Sequence, residues 1–424
     1  MKRYDSYKDS GIQWLGKIPS HWLLRKSKYL WDEKTESSVN GEETLLSVSQ
    51  YDGITEATGE SRSESLAGYK IVHKDDLVIN IMLAWMGGLG VSSKEGIVSP
   101  AYCVYRLHDK QNPKYLHYLY KTPLYLAEFA RRSSGVIPSR WRMYTDDFGQ
   151  VLTMLPPPAE QDAIVKYLDS ETAKIDEAIA QQQRMIDLLN ERKQIIITHA
   201  VTRGLNPDVP LRDSGIDWLG DIPSHWKVIP IKRAARIILG KMLDSKGVGQ
   251  NKLYKYFCAK DVHFDGVSFD DLKEMYFTNE EKDTYRVYNG DLLLVEGGAG
   301  AGGASIVRDM DFDAYVQNSI MILRAKENMI NRYLFYILQS LVKRGYIEYA
   351  CNKATIPHFT KEKTGATLIP LPLPEEQQEI VHYIDSQVVK IDEAIEKQKR
   401  FIELLQERKQ IIINEVVTGK VKIS

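Results

Sequence analysis

Apolar residues recur with alternating gaps of three and four through a long stretch of this chain. Val165, Leu168, Thr172, Ile175, Ile179, Gln182, Ile186, Leu189, Lys193 and Ile196 fall on one heptad seam. The seam returns as Val381, Ile384, Val388, Ile391, Ile395, Gln398, Ile402, Leu405, Lys409 and Ile412. Neither run contains Gly or Pro, so the spacing predicts two long helices that pair as a coiled coil. Proline clusters, Pro156–Pro158 and Pro372–Pro374, suit a rigid start to each helix. About 40 residues at roughly 1.5 Å each makes a rod near 60 Å long. The same pattern would serve a helix packed on its own neighbouring domain. Gln182 and Gln398 in the same central layer, with Lys193 and Lys409 near the same end, favour pairing, because a matched polar layer fixes register. Antiparallel pairing would place the segments attached to the helices at opposite ends of one rod.

The rest of the pattern is shorter in period and comes in pairs. HKDDLVINI (His73–Ile81) parallels YNGDLLLVE (Tyr288–Glu296), each a turn, an Asp and a strand. SPAYCVYRL (Ser99–Leu107) parallels QNSIMILRA (Gln317–Ala325), a second pair of strands. Pro113–Arg132 and Asn331–Ala350 both read as helical. The pairing is an internal duplication. DSGIQWLGKIPSHW (Asp9–Trp22) and DSGIDWLGDIPSHW (Asp213–Trp226) differ only at Gln13/Asp217 and Lys17/Asp221, 204 residues apart. Leu155–Ile197 matches Leu371–Ile413 at an offset of 216, so the second middle segment is 12 residues longer. Such a period is far too long for a solenoid and predicts a pseudo-two-fold molecule.

Composition narrows the class. A 424-residue chain that is 43% hydrophobic and 10% aromatic can bury real cores. Cys103, Cys258 and Cys351 lie far apart, which argues against a disulfide framework or a structural zinc site. The first residues, MKRYDSYKDSG, do not read as a signal peptide, and no run of about 18 apolar residues suggests a membrane span, so the cytoplasm is expected. The net charge of −1 argues against a simple nucleic-acid coat. The average hides a gradient, however. Ala159–Ala200 carries five Lys/Arg against eight Asp/Glu, whereas Lys227–Pro370 carries 21 against 17. Leu23–Gln150 has 16 of each.

Candidate chemistry lies in the loops. Arg131, Arg132, Arg140 and Arg142 crowd one short stretch, with Trp141 and Tyr144 interleaved and no acid among them. In the second copy Lys343, Arg344, Lys353, His358, Lys361 and Lys363 fall in the corresponding region, and both regions hold Ile-Pro, at Ile137-Pro138 and Ile356-Pro357. Arg and Lys reach phosphate oxygens, and Arg can bind guanine O6 and N7 bidentately. Any one of these could be a solvated surface charge; their recurrence at the same place in both copies points to DNA. EGGAGAGGAS (Glu296–Ser305) looks like a phosphate loop but lacks the Gly-Lys-Ser/Thr ending of a Walker A sequence. Its counterpart MLAWMGGLGVSS (Met82–Ser93) keeps three glycines and adds Trp85. Both read as flexible or close-approach backbone loops that could lie against a nucleic-acid backbone. There is no Asn/Asp-Pro-Pro-aromatic sequence for amino-methyl transfer, no helicase pair, no zinc-hydrolase motif and no nucleophile elbow, and the nine histidines form no ligand spacing.

Two variable segments, each headed by GIxWLGxIPxHW and each followed by a near-identical long helix opening with LPPPAEQ or LPLPEEQ, resemble the DNA-specificity subunit of type I restriction-modification systems. The resemblance spans essentially the whole chain. It implies α/β (α+β) target-recognition domains in two copies, separated by two long helices that form an antiparallel coiled coil. The corresponding boundaries are 1–154 for the first domain with its motif, 155–204 for the central helix, 205–370 for the second domain with its repeated motif, and 371–424 for the last helix. It further implies that each domain reads one half of a split double-stranded DNA target, and that the helices set the spacing and dock two methyltransferase subunits. The chain itself would be non-catalytic and hold no cofactor. S-adenosylmethionine would come with the methyltransferases, and ATP and Mg²⁺ with a motor-nuclease subunit. The specificity subunit of a two-part type II enzyme would share these features and stays open. Two readings from other classes are a nucleotide-binding hydrolase using the glycine loop and a coiled-coil scaffold that binds only protein.

Overall fold

The computed structural model describes residues 2–50, 53–57, 65–108, 110–137, 140–243, 252–298, 300–351 and 357–423. The chain divides into two compact units, Met1–Gln183 with Arg400–Ser424, and Arg184–Lys399. The division cuts through both long helices, Pro158–Arg203 and Pro374–Val417. Each unit therefore holds one globular domain and a stretch of each long helix. The sequence boundaries, drawn where helices begin and end, group the same elements differently.

Each unit is built on a four-stranded antiparallel sheet of the same order. In the first it runs Trp31–Lys34, Tyr102–Leu107, Leu77–Asn80, Leu89–Val91. In the second it runs Ala235–Leu239, Ile320–Ala325, Leu292–Val295, Ala304–Ile306. Leu77–Asn80 and Leu292–Val295 are buried at every residue, as befits strands covered on both faces. The Asp ahead of each strand is structural. Asp76 accepts from the His73 amide at 2.9 Å and pairs with Arg106 at 3.0 Å; Asp291 accepts from the Tyr288 amide at 2.9 Å and pairs with Arg324 at 2.8 Å. The offset between copies grows from 204 at Trp31/Ala235 to 215 at Leu77/Leu292. In that interval the second unit contributes Lys252–Phe257 and Lys273–Phe277 to a separate three-stranded sheet.

The helical stretches are each broken once. Pro123 cannot continue the helix Pro113–Tyr120, and Thr122 caps a new one, Pro123–Arg132. In the second unit Gly345, at φ +73°, separates Asn331–Lys343 from Tyr346–Ala350.

The repeated motif and the repeated helix start hold each other. Trp22 is fully buried, and its indole N–H donates to Glu160 Oε1 at 3.2 Å, while His21 Nε2 lies 2.7 Å from Glu160 Oε2. Trp226 donates to Glu376 Oε1 at 2.9 Å, with His225 Nε2 3.1 Å from Glu376 Oε2. The neighbouring glutamines are also fully buried. Gln161 donates to the Pro156 carbonyl and accepts from the Asn112 amide, both at 2.8 Å; Gln377 donates to Pro372 at 3.0 Å and accepts from Ile330 at 3.0 Å. Each Gln thus ties the first turn of a long helix to the start of a domain helix. Glycine closes each long helix in the left-handed region, Gly204 at φ +73° and Gly419 at +72°. A Cβ on Gly419 would sit 2.6 Å from the Pro19 ring, and one on Gly204 would sit 3.3 Å from Trp226. The near-identity of the repeats is therefore explained by scaffold contacts.

The seam holds. Leu168, Ile175, Ile186, Ile384, Ile391 and Ile395 are buried, and Ile179, Gln182, Leu189, Gln398, Ile402 and Leu405 are half-buried. In the first unit Leu168 and Ile175 share a core with Ile412, Val416 and Val417, and also with Tyr115, Leu116 and Leu119 of the domain. In the second, Ile197, Ala200 and Val201 share one with Ile380, Val381, Ile384, Tyr333 and Leu334. Within each unit, pairing between the helices and packing on the domain thus share a core. Among the side chains that bridge the helices are the lysines of the seam. Lys193 Nζ lies 2.6 Å from Asp392, and Lys409 Nζ lies 2.7 Å from Asp176. Moving 17 residues up one helix, Asp176 to Lys193, moves 17 down the other, Lys409 to Asp392, so the helices are antiparallel.

Candidate nucleic-acid interface

The two kinds of loop that stood apart in the sequence meet at one end of each sheet. In the first unit the Met143 amide donates to the Ile81 carbonyl at 2.9 Å, just past the strand Leu77–Asn80. In the second the Phe359 amide donates to the Glu296 carbonyl at 2.7 Å, just past Leu292–Val295. The arrangement is the same; the side chains are different.

In the first unit Trp85 stands edge-on to Trp141, ring centroids 5.4 Å apart and planes at 66°. Trp85 donates to the Met82 carbonyl at 3.2 Å, which fixes its ring. Ser134 and Arg142 exchange backbone hydrogen bonds at 3.0 Å and close a hairpin. Arg140, Arg142 and Tyr144 are exposed, and neither arginine has an ion-pair partner among the described residues. Arg131 and Arg132 behave differently. Both bind the buried carboxylate of Glu128, Arg131 through Nε at 2.7 Å and Nη2 at 2.8 Å, Arg132 through Nε at 2.6 Å. Burial pushes the Glu128 carboxyl up, but the two guanidinium groups outweigh it and hold it below the usual range. The hydrogen bond to Glu128 in turn raises Arg131. These two arginines finish the helix Pro123–Arg132 and are partly neutralised there.

In the second unit Gly297 and Gly302 serve the chain's own packing. A Cβ on Gly297 would lie 2.5 Å from the His358 ring, and one on Gly302, at φ +84°, would lie 2.8 Å from both Val342 and Ile347. The close approach is to the chain's own helices and to His358. His358 is exposed, and its carbonyl accepts from Lys363 Nζ at 3.2 Å and from Cys351 Sγ at 3.1 Å. Lys361 and Lys363 are exposed on the short helix Lys361–Ala366, capped by Thr360. Lys343 is exposed at the end of its helix. Arg344 lines a shallow cleft with His199, Arg203 and Gly220, beside the first long helix and apart from the loops. Lys353 lies outside the described residues.

Sequence reasoning passed over two groups at the same sheet ends. Gln317 and Asn318 sit half-buried where Ile320–Ala325 begins, and the Asn318 amide donates to the Lys241 carbonyl at 2.8 Å. Amide side chains of this kind can bind adenine bidentately. The quoted segment QNSIMILRA contained them but was read only as a strand. The second group is apolar: Met82, Leu83, Met86, Val136 and Ile137 are all exposed in the first unit. A search for charge does not register such residues.

The helices carry a repeated surface as well. Met185, Leu188 and Ile195 are exposed in the second unit, and their counterparts 216 residues on, Phe401, Leu404 and Ile411, are exposed in the first. Among the described residues no group of three or more His, Cys, Asp or Glu could hold a metal ion, and no helix is long and apolar enough to cross a membrane.

Residues 223–404 match the family described as type I restriction modification DNA specificity domain. The type I restriction enzyme MjaVIII specificity subunit of Methanocaldococcus jannaschii is 25% identical over 378 residues, covering 84% of this chain and 82% of that protein. A chain solved in work on complex assembly and conformational transition of the type I R-M system superposes with a TM-score of 0.70 at 16% identity, over 95% of this chain and 99% of that one. The HsdS subunit from Thermoanaerobacter tengcongensis gives a TM-score of 0.51 at 18% identity, over 95% and 98%. The structural likenesses carry the fold, and the sequence match carries the class. Residues 223–404 thus carry a type I restriction-modification DNA specificity domain, and the same sheet order recurs in the other half of the chain.

Proposed function

We propose that this chain is the DNA-reading subunit of a type I restriction-modification complex, each recognition domain reading one half of a split duplex target. One observation carries this reading. The scaffold contacts recur almost atom for atom, Trp22–Glu160 with Trp226–Glu376 and Asp176–Lys409 with Lys193–Asp392, while the loops at the equivalent sheet ends differ. A duplicated scaffold with unlike loops is what two half-sites of unlike sequence require.

The paired helices set the spacing between half-sites and dock two methyltransferase subunits. The apolar stripe exposed twice, at Met185, Leu188 and Ile195 and at Phe401, Leu404 and Ile411, supports two equivalent docking surfaces. The chain is non-catalytic in this reading. S-adenosylmethionine belongs to the methyltransferases, ATP and Mg²⁺ to the motor-nuclease subunit, and the complex works on cytoplasmic DNA.

The test is methylome sequencing of cells carrying this chain with its methyltransferase partner. A split sequence with a fixed spacer is expected. Replacing residues 23–150 with the equivalent segment of a subunit of other specificity should change one half of that sequence alone. A contiguous methylated site, or a change in both halves together, overturns the proposal.

A further inference from the structure

Val136 is 95% exposed and Ile137 48% exposed. Two branched aliphatic side chains thus stand in water, next to backbone that is tied at several described positions. Its base is closed by the reciprocal Ser134–Arg142 hydrogen bonds, and the Arg140 amide donates to the Ile137 carbonyl at 2.8 Å. The backbone crosses itself so closely that a Cβ on Gly135 would lie 2.5 Å from the Arg140 carbonyl oxygen. Below the hairpin, Trp141 is braced on Trp85, and Met143 is bonded to Ile81. Exposed Met82, Leu83 and Met86 extend the apolar surface on the neighbouring turn. Flanking it are Arg140 and Arg142, which are exposed and have no ion-pair partner among the described residues.

Resting on the DNA-reading function above, we propose that Val136 and Ile137 form an apolar wedge that enters the base stack of the first half-site. A β-branched side chain has few rotamers to lose, so it makes a stiff wedge. Aliphatic side chains inserted at a base step unstack it and kink the duplex, and the cost is recovered by the contacts the bend allows. Arg140 and Arg142 hold the phosphates on either side of the opened step. Specificity then includes a term from how easily one step deforms, with pyrimidine–purine steps the softest.

The experiment uses the assembled methyltransferase complex and the methylated sequence it defines. Duplexes carry 2-aminopurine at successive steps of the first half-site, and a second set carries a single abasic position at the same steps. Wild-type complex should raise 2-aminopurine fluorescence at one step. The Val136→Ser, Ile137→Ser double variant should lose that rise and bind intact duplex at least ten-fold more weakly. It should recover most of the loss on the duplex whose stack is already broken at that step. Because both side chains are exposed, the variant's melting temperature and subunit assembly should match wild type. Equal affinity of variant and wild type for intact duplex, or an equal loss on intact and abasic duplexes, overturns the wedge. A variant that loses methyltransferase subunits while still binding DNA also overturns it and makes the tip a protein contact. Failure of the wild-type complex to bind duplex in a salt-dependent way would instead sink the DNA-reading function itself.

Discussion

Trp226 donates its indole N–H to Glu376 Oε1 at 2.9 Å, tying the repeated Trp/Pro motif to the first turn of the second long helix. Trp226 is buried, so its N–H has no water to turn to if the carboxylate is removed. Leaving a buried donor unpaired costs about 1–3 kcal/mol. Glu376→Ala should therefore lower the melting temperature by several degrees, whereas Glu376→Gln, which keeps an acceptor, should lower it less. Equal losses for the two would mean that the carboxylate's charge, shared with His225, matters more than the indole bond.

The two faces of the first long helix should respond differently to the same change. Ile186 is buried in the seam, and Leu188, two residues on, is exposed. A charge at Ile186 has no partner, and burying it costs several kcal/mol after relaxation. Ile186→Asp should unfold or strongly destabilise the chain in thermal melts. Leu188→Asp should leave the melt unchanged and weaken co-purification with the methyltransferase subunit. Loss of neither stability nor assembly in Leu188→Asp would remove the outer stripe as a docking surface. Lys193→Ala should cost no more than about 1 kcal/mol, because its pair with Asp392 is partly solvated.

Much of this architecture was legible in the sequence, because duplication acts as an internal alignment. Both long helices, the Asp-led central strands and their strand partners are where the spacing placed them. The breaks at Pro123 and Gly345 carried their own signals, a helix-starting Thr-Pro pair and a glycine, but were read through as continuous helix. The fate of Arg131 and Arg132 was legible too. Glu128 precedes them by three and four residues, the spacing at which helical charges pair. Reading them as a basic cluster with the loop arginines counted charge without asking what neutralised it. The glycine loop was harder. Close approach to Val342 and Ile347 depends on residues some 40 positions away, and a glycine that avoids a helix looks the same in sequence as one that cradles a phosphate.

His117 offers a pH test confined to the first unit. It is packed against Gly53 and Gly90, and its Nδ1 accepts from the Val91 amide at 3.0 Å. Burial, with the charges of Lys121 and Lys114, pushes its pKa down from 6.5 to about 4. The folded state therefore binds this proton less readily than the unfolded state. Stability is fully present above about pH 6.5 and is lost as pH falls from there towards 4, by at most about 3 kcal/mol. The equivalent position in the second unit is Phe335, which does not titrate. His117→Gln keeps an acceptor for Val91 and should flatten the stability profile between pH 6.5 and 4. A variant profile that falls as steeply as wild type would assign the acid sensitivity to other groups.

Arg131 and Arg140 sit nine residues apart in the same basic stretch but in different surroundings. Arg131 is bonded twice to Glu128, which is buried; Arg140 is exposed with no ion-pair partner among the described residues. Arg131→Ala should cost about 1 kcal/mol of stability, since its outer side is solvated and Arg132 still reaches Glu128. DNA affinity and its salt dependence should change little. Arg140→Ala should leave the melt untouched. If Arg140 holds a phosphate, affinity should fall on every duplex and the slope of log affinity against log salt should shrink by about one. If it reads a base, the loss should be roughly 1–3 kcal/mol on the cognate half-site, with preference relaxed at one position. Thermal melts and salt titrations on the two variants, run side by side, separate the roles. A salt slope that shrinks in Arg131→Ala and not in Arg140→Ala would mean that the interface lies on the helix end, not at the hairpin.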